Sequence, residues 1–378
     1  MLSPSSAARW IHCPPSAKIN AEAGDRETVF TREGTLAHAL AELKARKAFL
    51  TGIGPKKYQA AHAKLAQDEL WQDEMDDHTD RYLEILTDLY AEFPDPPHVA
   101  VEQRVDFSEW VPGGFGTADC VMVGGGVIHV IDFKYGKGVP VSAEGNPQMM
   151  LYALGALAAY DLIYDLDTVR MTIIQPRLSG DPDTWETDVG FLKAWAEEVA
   201  RPAAAQAAKG EGEFAEGEWC RFCAIRATCR ARAAAQTALE DFGFRLPPTL
   251  TDAEVGRALE QGKRLSKWLS DLEDYALAAC LDGREIPGYK AVAGRSVRVW
   301  TDQDAAFAAA RESGVPEEML WERKPVTLAG LEKIMGRKAF AEALTDYVTA
   351  PPGKPTLVAE TDKRPAITNR PTVEDDFG

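Results

Sequence analysis

The sequence predicts an α/β fold in which a mixed β-sheet is flanked by helices. Three observations carry this expectation. Apolar–polar alternation marks strands at 99–107, 116–134 and 169–175, set among helical runs in the order helix, strand, strand, strand, helix, strand, helix. The stretch Gly116–Lys134, GTADCVMVGGGVIHVIDFK, alternates, breaks at three glycines and alternates again, as a β-hairpin does. A compact cysteine block, Cys220 to Cys229, follows the last of these elements.

In chain order, Trp10, His12, Cys13 and Pro14-Pro15 predict an ordered, non-regular arm leading into a short helix. Gly34-Thr35 opens a helical pattern to about Leu50, with His38 in its first turn. Residues 56–93 read as a long helix or a helix pair, stopped by PDPP at 94–97. VAVEQRVDF is the first strand, and the glycine-rich VPGGFG leads into the hairpin. After the loop GKGVPVSAEGNP, Asn146 is a candidate N-cap and Pro147 fits the first position of a helix to about Tyr160. Val169–Gln175 is a strand ended by Pro176, and 187–209 is helical. A composition change at RLPPTL separates residues 1–240 from a module at 245–350. That module reads as a helix from Asp252 to Cys280, a strand or hairpin over GYKAVAGRSVRVW, and two or three short helices. Residues 351–378 are Pro-rich and polar and end in the acidic TVEDDFG, the composition of a disordered tail. There is no internal repeat.

Composition narrows the function classes. The 378 residues allow one large domain or two to three smaller ones. A formal net charge of −17 counts against a protein that coats nucleic acid non-specifically, while leaving room for a local basic groove. The N-terminal stretch lacks the continuous apolar core of a secretory signal, and the most apolar run, Leu151–Leu166, is broken by Asp161 and Asp165. A cytoplasmic setting is therefore expected. There, clustered cysteines suggest metal ligation before disulfides.

The hairpin carries the chemistry. Asp132 and Lys134 are two apart on a strand and share a face. Asp119 joins them only in one register. A three-residue Gly124–Gly126 loop would pair Asp119 with Ile131, on the wrong face. A two-residue Gly125-Gly126 turn pairs Gly124 with Val127 and sets Asp119 opposite Asp132, and this register is the expectation. Two converged carboxylates could ligate Mg²⁺ or Mn²⁺, with the backbone carbonyl of Phe133 as a further ligand. Lys134 could orient or deprotonate a water and neutralise charge in the transition state. Glu102 on the preceding strand is a further acid for a water or a second metal; a solvated strand acid is the alternative. His38 could complete the ligand set, since manganese accepts imidazole. Gln148 and Tyr152, four apart on one helix face, could bind phosphate or brace Lys134.

Cys220-x₂-Cys223-x₅-Cys229 supplies three thiolates, and Cys13 far upstream a candidate fourth, which suits zinc or an iron–sulfur cluster. Cys120 and Cys280 read as structural. Arg221, Arg226, Arg230 and Arg232 form a local basic surface suited to a DNA backbone, or else a helix face paired with acids elsewhere.

Taken together and in order, these residues resemble the RecB-like branch of the PD-(D/E)XK nuclease superfamily. More closely they resemble its iron–sulfur members, such as the AddB nuclease domain and the CRISPR-associated RecB-like exonucleases. The matches are His38 in GTLAH, Gly116-Thr117-Ala118-Asp119 for G-x-x-D, Asp132-Phe133-Lys134 for D-x-K, Gln148 and Tyr152 for Q-x-x-x-Y, and the four cysteines. The whole chain is also similar to an uncharacterised family of phage and prophage proteins with this nuclease core.

The resemblance implies a restriction-endonuclease-like mixed sheet, a cysteine-cluster cap holding a [4Fe–4S] cluster on Cys13, Cys220, Cys223 and Cys229, and a smaller, mainly α C-terminal module. A structural zinc on the same cysteines is the alternative. It implies a Mg/Mn-dependent DNA exonuclease that processes single strands or DNA ends in phage recombination or replication, with a metal-bound water as nucleophile. A phage single-strand-binding or annealing protein is the implied partner, in a bacterial host cytoplasm, with no membrane association. A catalytically silent DNA-binding scaffold of the same fold is the alternative.

Overall fold

The fold was obtained as a computed structural model, and the structure describes residues 2–24, 28–178, 181–237, 251–293, 301–313, 315–321, 326–344 and 347–348. The chain divides into two compact units, Met1–Val292 and Ala293–Gly378.

The first unit opens with α1 (Ala7–His12) and α2 (Ser16–Ala23), followed by α3 (Val29–Phe49), α4 (Pro55–Leu65) and α5 (Glu74–Ala91). Three strands follow, β1 (His98–Asp106), β2 (Phe115–Gly124) and β3 (Val127–Phe133), and then α6 (Pro147–Tyr160). β4 (Thr168–Ile174) and β5 (Asp183–Asp188) complete the sheet. After it come α7 (Val189–Trp195), a π turn at Ala196–Ala200, α8 (Arg201–Lys209), α9 (Arg230–Thr237) and α10 (Asp252–Leu281). The second unit holds α11 (Gln303–Glu312), α12 (Leu328–Met335) and α13 (Arg337–Leu344).

The sheet order is β1-β2-β3-β4-β5, antiparallel except that β3 and β4 run parallel. A parallel neighbour needs a crossover, and α6 provides it. Strand alternation then sorts the side chains to two helical layers. Val121, Val123, Ile128 and Val130 pack with α6 and with Trp10 of α1. Cys120, Met122, Ile131 and Phe133 pack with Leu36 and Leu40 of α3 and with Tyr82 and Leu86 of α5. The central strands β2, β3 and β4 are mostly buried on both faces, so the sheet lies between helical layers, as the sequence predicts.

The hairpin has the expected register. Gly124 pairs with Val127 and Cys120 with Ile131, around a Gly125-Gly126 turn whose φ angles are +57° and +80°. Positive φ at both central residues is the geometry that matches strand twist and that glycine adopts without strain. The α6 N-terminus is also as predicted, since Asn146 Oδ1 accepts from the N–H of Gln148 (3.0 Å) and Met149 (3.3 Å). Close approach fixes this helix against β1, for a Cβ on Gly155 would stand 2.8 Å from Val105 Cβ.

Several expectations are corrected. The non-regular N-terminal arm is two short helices, α1 and α2, joined at Cys13–Pro15. The region 56–93, expected as one long helix or a helix pair, is the pair, α4 and α5. α3 starts at Val29, where Thr28 and Thr31 form a capping box, so His38 lies in its third turn. β5 is an additional strand; its sequence DTWETD is charged because it forms a sheet edge. Residues 245–250, most of the expected hairpin over GYKAVAGRSVRVW, and the tail 351–378 lie outside the described residues.

The cysteine-cluster cap is not formed. All six cysteines are free, and no cysteine belongs to a group of three metal-binding side chains among the described residues. Cys13, Cys220, Cys223 and Cys229 border one narrow cavity, but their thiols are used singly. Asn20 Nδ2 donates to Cys223 Sγ at 3.7 Å, and Cys220 Sγ donates to the Ala215 carbonyl at 3.9 Å. Other contacts join this segment to the N-terminal helices. Arg9 Nη1 donates to the Phe222 carbonyl (2.9 Å), Ala224 N–H donates to Asn20 Oδ1 (2.9 Å), and His12 stacks on Trp219 at 4.2 Å.

The turn makes a direct prediction. Gly126→Val places a β-branched residue at φ +80°, which should cost about 1–2 kcal/mol in urea unfolding. Gly125→Asn, giving the favoured Asn-Gly pair, should be near neutral. Equal loss in both variants would contradict the turn geometry.

Candidate metal and catalytic centre

The centre lies at the end of the hairpin away from the glycine turn, and the strand register builds it. Glu102, Asp119 and Asp132 occupy facing positions on β1, β2 and β3: Val101 pairs with Cys120 and Gln103 with Ala118, and Cys120 with Ile131. Three acids therefore stand in a row across neighbouring strands. Glu102 alone departs from strand geometry, with φ +54°, and it is the one non-glycine residue with positive φ among the described residues. Such a conformation costs on the order of 1–3 kcal/mol and persists where the surroundings impose it. Arg46 of α3 donates to the Val101 carbonyl just before this kink, at 3.2 Å.

His38 reaches the row from α3. Its Nδ1 lies 3.3 Å from Asp119 Oδ1. Among the described residues, His38, Glu102 and Asp119 form the group of three potential metal ligands, with their ligand atoms all within 4.8 Å of one another. Asp119 Oδ2 accepts from the Phe133 N–H at 2.7 Å, which fixes the carboxylate and leaves Oδ1 towards His38. The Phe133 ring packs edge-on to His38 with centroids 5.3 Å apart.

Asp132 stands beside this trio and faces α6. Its Oδ1 accepts from Lys134 Nζ (3.3 Å) and from Gln148 Nε2 (3.3 Å). Its Oδ2 is 3.0 Å from Lys134 Nζ but outside hydrogen-bonding angles, so it is a buried oxygen without a hydrogen bond. Lys134 Nζ also donates to Gln148 Oε1 at 3.1 Å, and Gln148 Nε2 lies 3.2 Å from Tyr152 Oη. Gln148 and Tyr152 thus brace Lys134. Gly116 makes the bracing possible, because a Cβ there would stand 2.6 Å from Tyr152 Cε1.

Crowded acids titrate abnormally. The Glu102 pKa is pushed up to about 7, by burial first and then by the charge of Asp119. Burial also raises Asp132; Lys134 opposes this and Asp119 adds to it. Burial alone would lower the His38 pKa, but the hydrogen bond and charge of Asp119, with the charge of Asp132, outweigh it and raise it. All three shifts describe a site with excess negative charge and too little solvent. One imidazole nitrogen, carboxylate oxygens and a buried oxygen lacking a hydrogen bond fit a hard divalent cation, Mg²⁺ or Mn²⁺, with the imidazole favouring Mn²⁺.

The cysteines do not form a second centre. Zinc thiolates sit about 3.8 Å apart around one ion, and no three cysteine sulfurs meet even 4.8 Å. The cysteines therefore form neither the expected [4Fe–4S] site of an iron–sulfur protein nor the zinc alternative. The arginine surface is also smaller than expected. Arg226 and Arg232 pair with Asp271 of α10, at 3.0 and 2.5 Å, while Arg221 is exposed.

What sequence reasoning missed is the brace at Gly116 and the backbone kink at Glu102. The kink has no signal in residue type, because glutamate rarely adopts positive φ.

A family described as "Protein of unknown function (DUF2800)" matches residues 1–365, and the chain belongs to that family. Similar solved structures include SSO0001, at 14% identity and TM-score 0.23, covering 51% of this chain and 85% of that one. Others are the alkaline exonuclease LHK-Exo from Laribacter hongkongensis (15% identity, TM-score 0.24, 46% and 87% covered) and LHK-Exo in complex with dAMP (14%, 0.25, 47% and 93%). At these scores the likeness has no bearing on the activity of this chain.

The Glu102 shift gives a test with a definite sign. A carboxyl whose pKa rises from 4.5 to about 7 on folding stabilises the fold most below the lower value, and that contribution is lost as pH rises through 7. In chelator, Glu102→Gln should therefore be more stable than wild type at pH 8, by about 1 kcal/mol once solvent screening at this partly exposed group is allowed for. The gap should close towards pH 4.5. Mn²⁺ should raise the wild-type melting temperature more than the variant's. No difference at pH 8 would remove Glu102 from the charged row.

Proposed function

We propose that this member of the DUF2800 family is a metal-dependent DNA nuclease, acting on DNA ends as an exonuclease. The observation that carries this reading is the meeting of His38, Glu102 and Asp119 beside a buried Asp132 that is paired with Lys134. Each residue has a use in phosphodiester hydrolysis. His38, Glu102 and Asp119 would hold a divalent cation, with Asp132 and the Phe133 carbonyl as nearby oxygen donors. Bound there, the cation supplies Lewis-acid polarisation of a phosphoryl oxygen and a lowered water pKa.

The remaining chemistry belongs to the chain. Lys134 presents an ammonium at a fixed position, held by Asp132 and Gln148, where it can neutralise charge growing on the phosphate. Gln148 keeps the ammonium aimed, and Tyr152 keeps Gln148 aimed. Asp119, fixed by the Phe133 N–H, holds the imidazole of His38 in the ligand group. The family resemblance adds the setting: recombination or replication of phage DNA, beside a single-strand-binding or annealing protein.

The test is cleavage of end-labelled single- and double-stranded DNA with Mg²⁺ or Mn²⁺. Asp119→Ala and Asp132→Ala should each lose at least about 10²-fold in rate with an unchanged circular-dichroism spectrum. Lys134→Gln should lose a comparable factor while keeping Mn²⁺ binding. Full activity in folded Asp119→Ala or Asp132→Ala protein rejects the site, and no cleavage by wild type supports a silent DNA-binding scaffold instead.

A second prediction concerns the brace. Gly116→Val drives a side chain into Tyr152 and should lower the cleavage rate about tenfold or more, through Gln148, with Mn²⁺ affinity retained. Wild-type cleavage rates in this variant would disconnect Tyr152 from Lys134.

A further inference from the structure

Away from the acid row, one exposed aromatic ring is displayed from a tightly fastened backbone. Phe222 ends a short 3-10 turn, Glu218–Phe222, and is 73% exposed. Its carbonyl accepts from Arg9 of α1 at 2.9 Å. The next two residues are held as well. Cys223 N–H donates to the Cys220 carbonyl at 3.0 Å, and Ala224 N–H to Asn20 of α2 at 2.9 Å. An aromatic side chain left in water forgoes a large burial gain. A fixed backbone beneath it means that the ring is presented without an ordering cost on binding.

Arg221 completes the surface. It is exposed, and its guanidinium carbon lies 5.5 Å from the Phe222 ring centroid. Its Nη2 stands 4.0 Å from the position a Cβ on Gly138 would take. Gly138 follows Lys134 by four residues, so at most about 14 Å of chain joins this place to the acid row. With the guanidinium over one face of the ring, the pair offers a cation for a phosphate and an exposed ring for its base. Duplex DNA keeps its base faces stacked internally, whereas a single strand offers them. The charged neighbours are compatible with this. Glu218 is the acid of the same turn, and Lys137, one residue before Gly138, pairs with Glu74 at 3.2 Å and is largely exposed.

We infer that Phe222 and Arg221 form a base-stacking step that receives single-stranded DNA on its way to the acid row and favours single-stranded ends over blunt duplex. The inference rests on the nuclease reading and assigns it two specificity-determining residues.

The experiment is fluorescence anisotropy with the full chain, in chelator so that no DNA is cut, using a labelled single-stranded oligonucleotide and a blunt duplex. Phe222→Ala should raise the single-strand Kd about tenfold and leave the duplex Kd unchanged. Phe222→Trp should restore binding, and Arg221→Ala should weaken it and flatten its salt dependence. A 2-aminopurine base in the oligonucleotide should be quenched by wild type and not by Phe222→Ala. Matching melting temperatures establish that the variants are folded. Unchanged single-strand binding in Phe222→Ala overturns the inference and leaves the exposed ring to a protein contact. Equal losses on single strand and duplex, or no single-strand binding by wild type, also overturn it. Mn²⁺-dependent cleavage by wild type, measured separately, decides the nuclease reading: cleavage with unchanged Phe222→Ala binding rejects the stacking step alone, and absence of both cleavage and DNA binding rejects both.

Discussion

Like charges facing one another across neighbouring strands are unfavourable, and the centre of this protein is built on that arrangement. Glu102, Asp119 and Asp132 hold facing positions on three adjacent strands, and burial takes away the water that would screen them. Lys134 supplies one positive charge, on the Asp132 side. The Glu102–Asp119 side has His38, whose raised pKa reflects how far the acids draw a proton to it, and the charge of Arg46 acting on Glu102. A fold that pushes a carboxyl up to about 7 by crowding acids together holds a place where a divalent cation would relieve the repulsion.

The two helical layers serve the row from opposite sides. α3 brings His38, and Arg46 on the same helix ties down the strand at the kink. α6 brings Gln148 and Tyr152, and it can lie close to the sheet because Gly116 and Gly155 have no side chains there. The hairpin turn sets which residues face each other: a one-residue slip would send Asp119 to the opposite face and leave Asp132 and Lys134 as an isolated ion pair.

Much of this could be read from residue order, because it depends on local rules. Alternation and a two-residue glycine turn specify the register, Asn146-Pro147 specifies the start of α6, and i,i+4 spacing puts Gln148 and Tyr152 on one face. What could not be read depends on tertiary context. β5 carries the charged residues of a sheet edge, and no strand was expected there. The Glu102 kink reflects no propensity of glutamate. The arginines of the cysteine block allowed either a basic surface or a face paired with acids elsewhere, and which acid pairs with Arg226 and Arg232, Asp271 on α10, depends on the fold. The cysteine spacing suggested a shared ion, but spacing does not bring sulfurs together. Cys220 and Cys223 instead hydrogen-bond separately to Ala215 and Asn20, and the segment is joined to the N-terminal helices by arginine, asparagine and ring stacking.

The most direct measurement of the central claim is anomalous diffraction from crystals soaked in Mn²⁺ at neutral to mildly alkaline pH. A manganese peak bounded by His38, Glu102 and Asp119, with Asp132 alongside, is the predicted result. An ordered acid row with no manganese at saturating concentration, or a peak held by other residues, would contradict it.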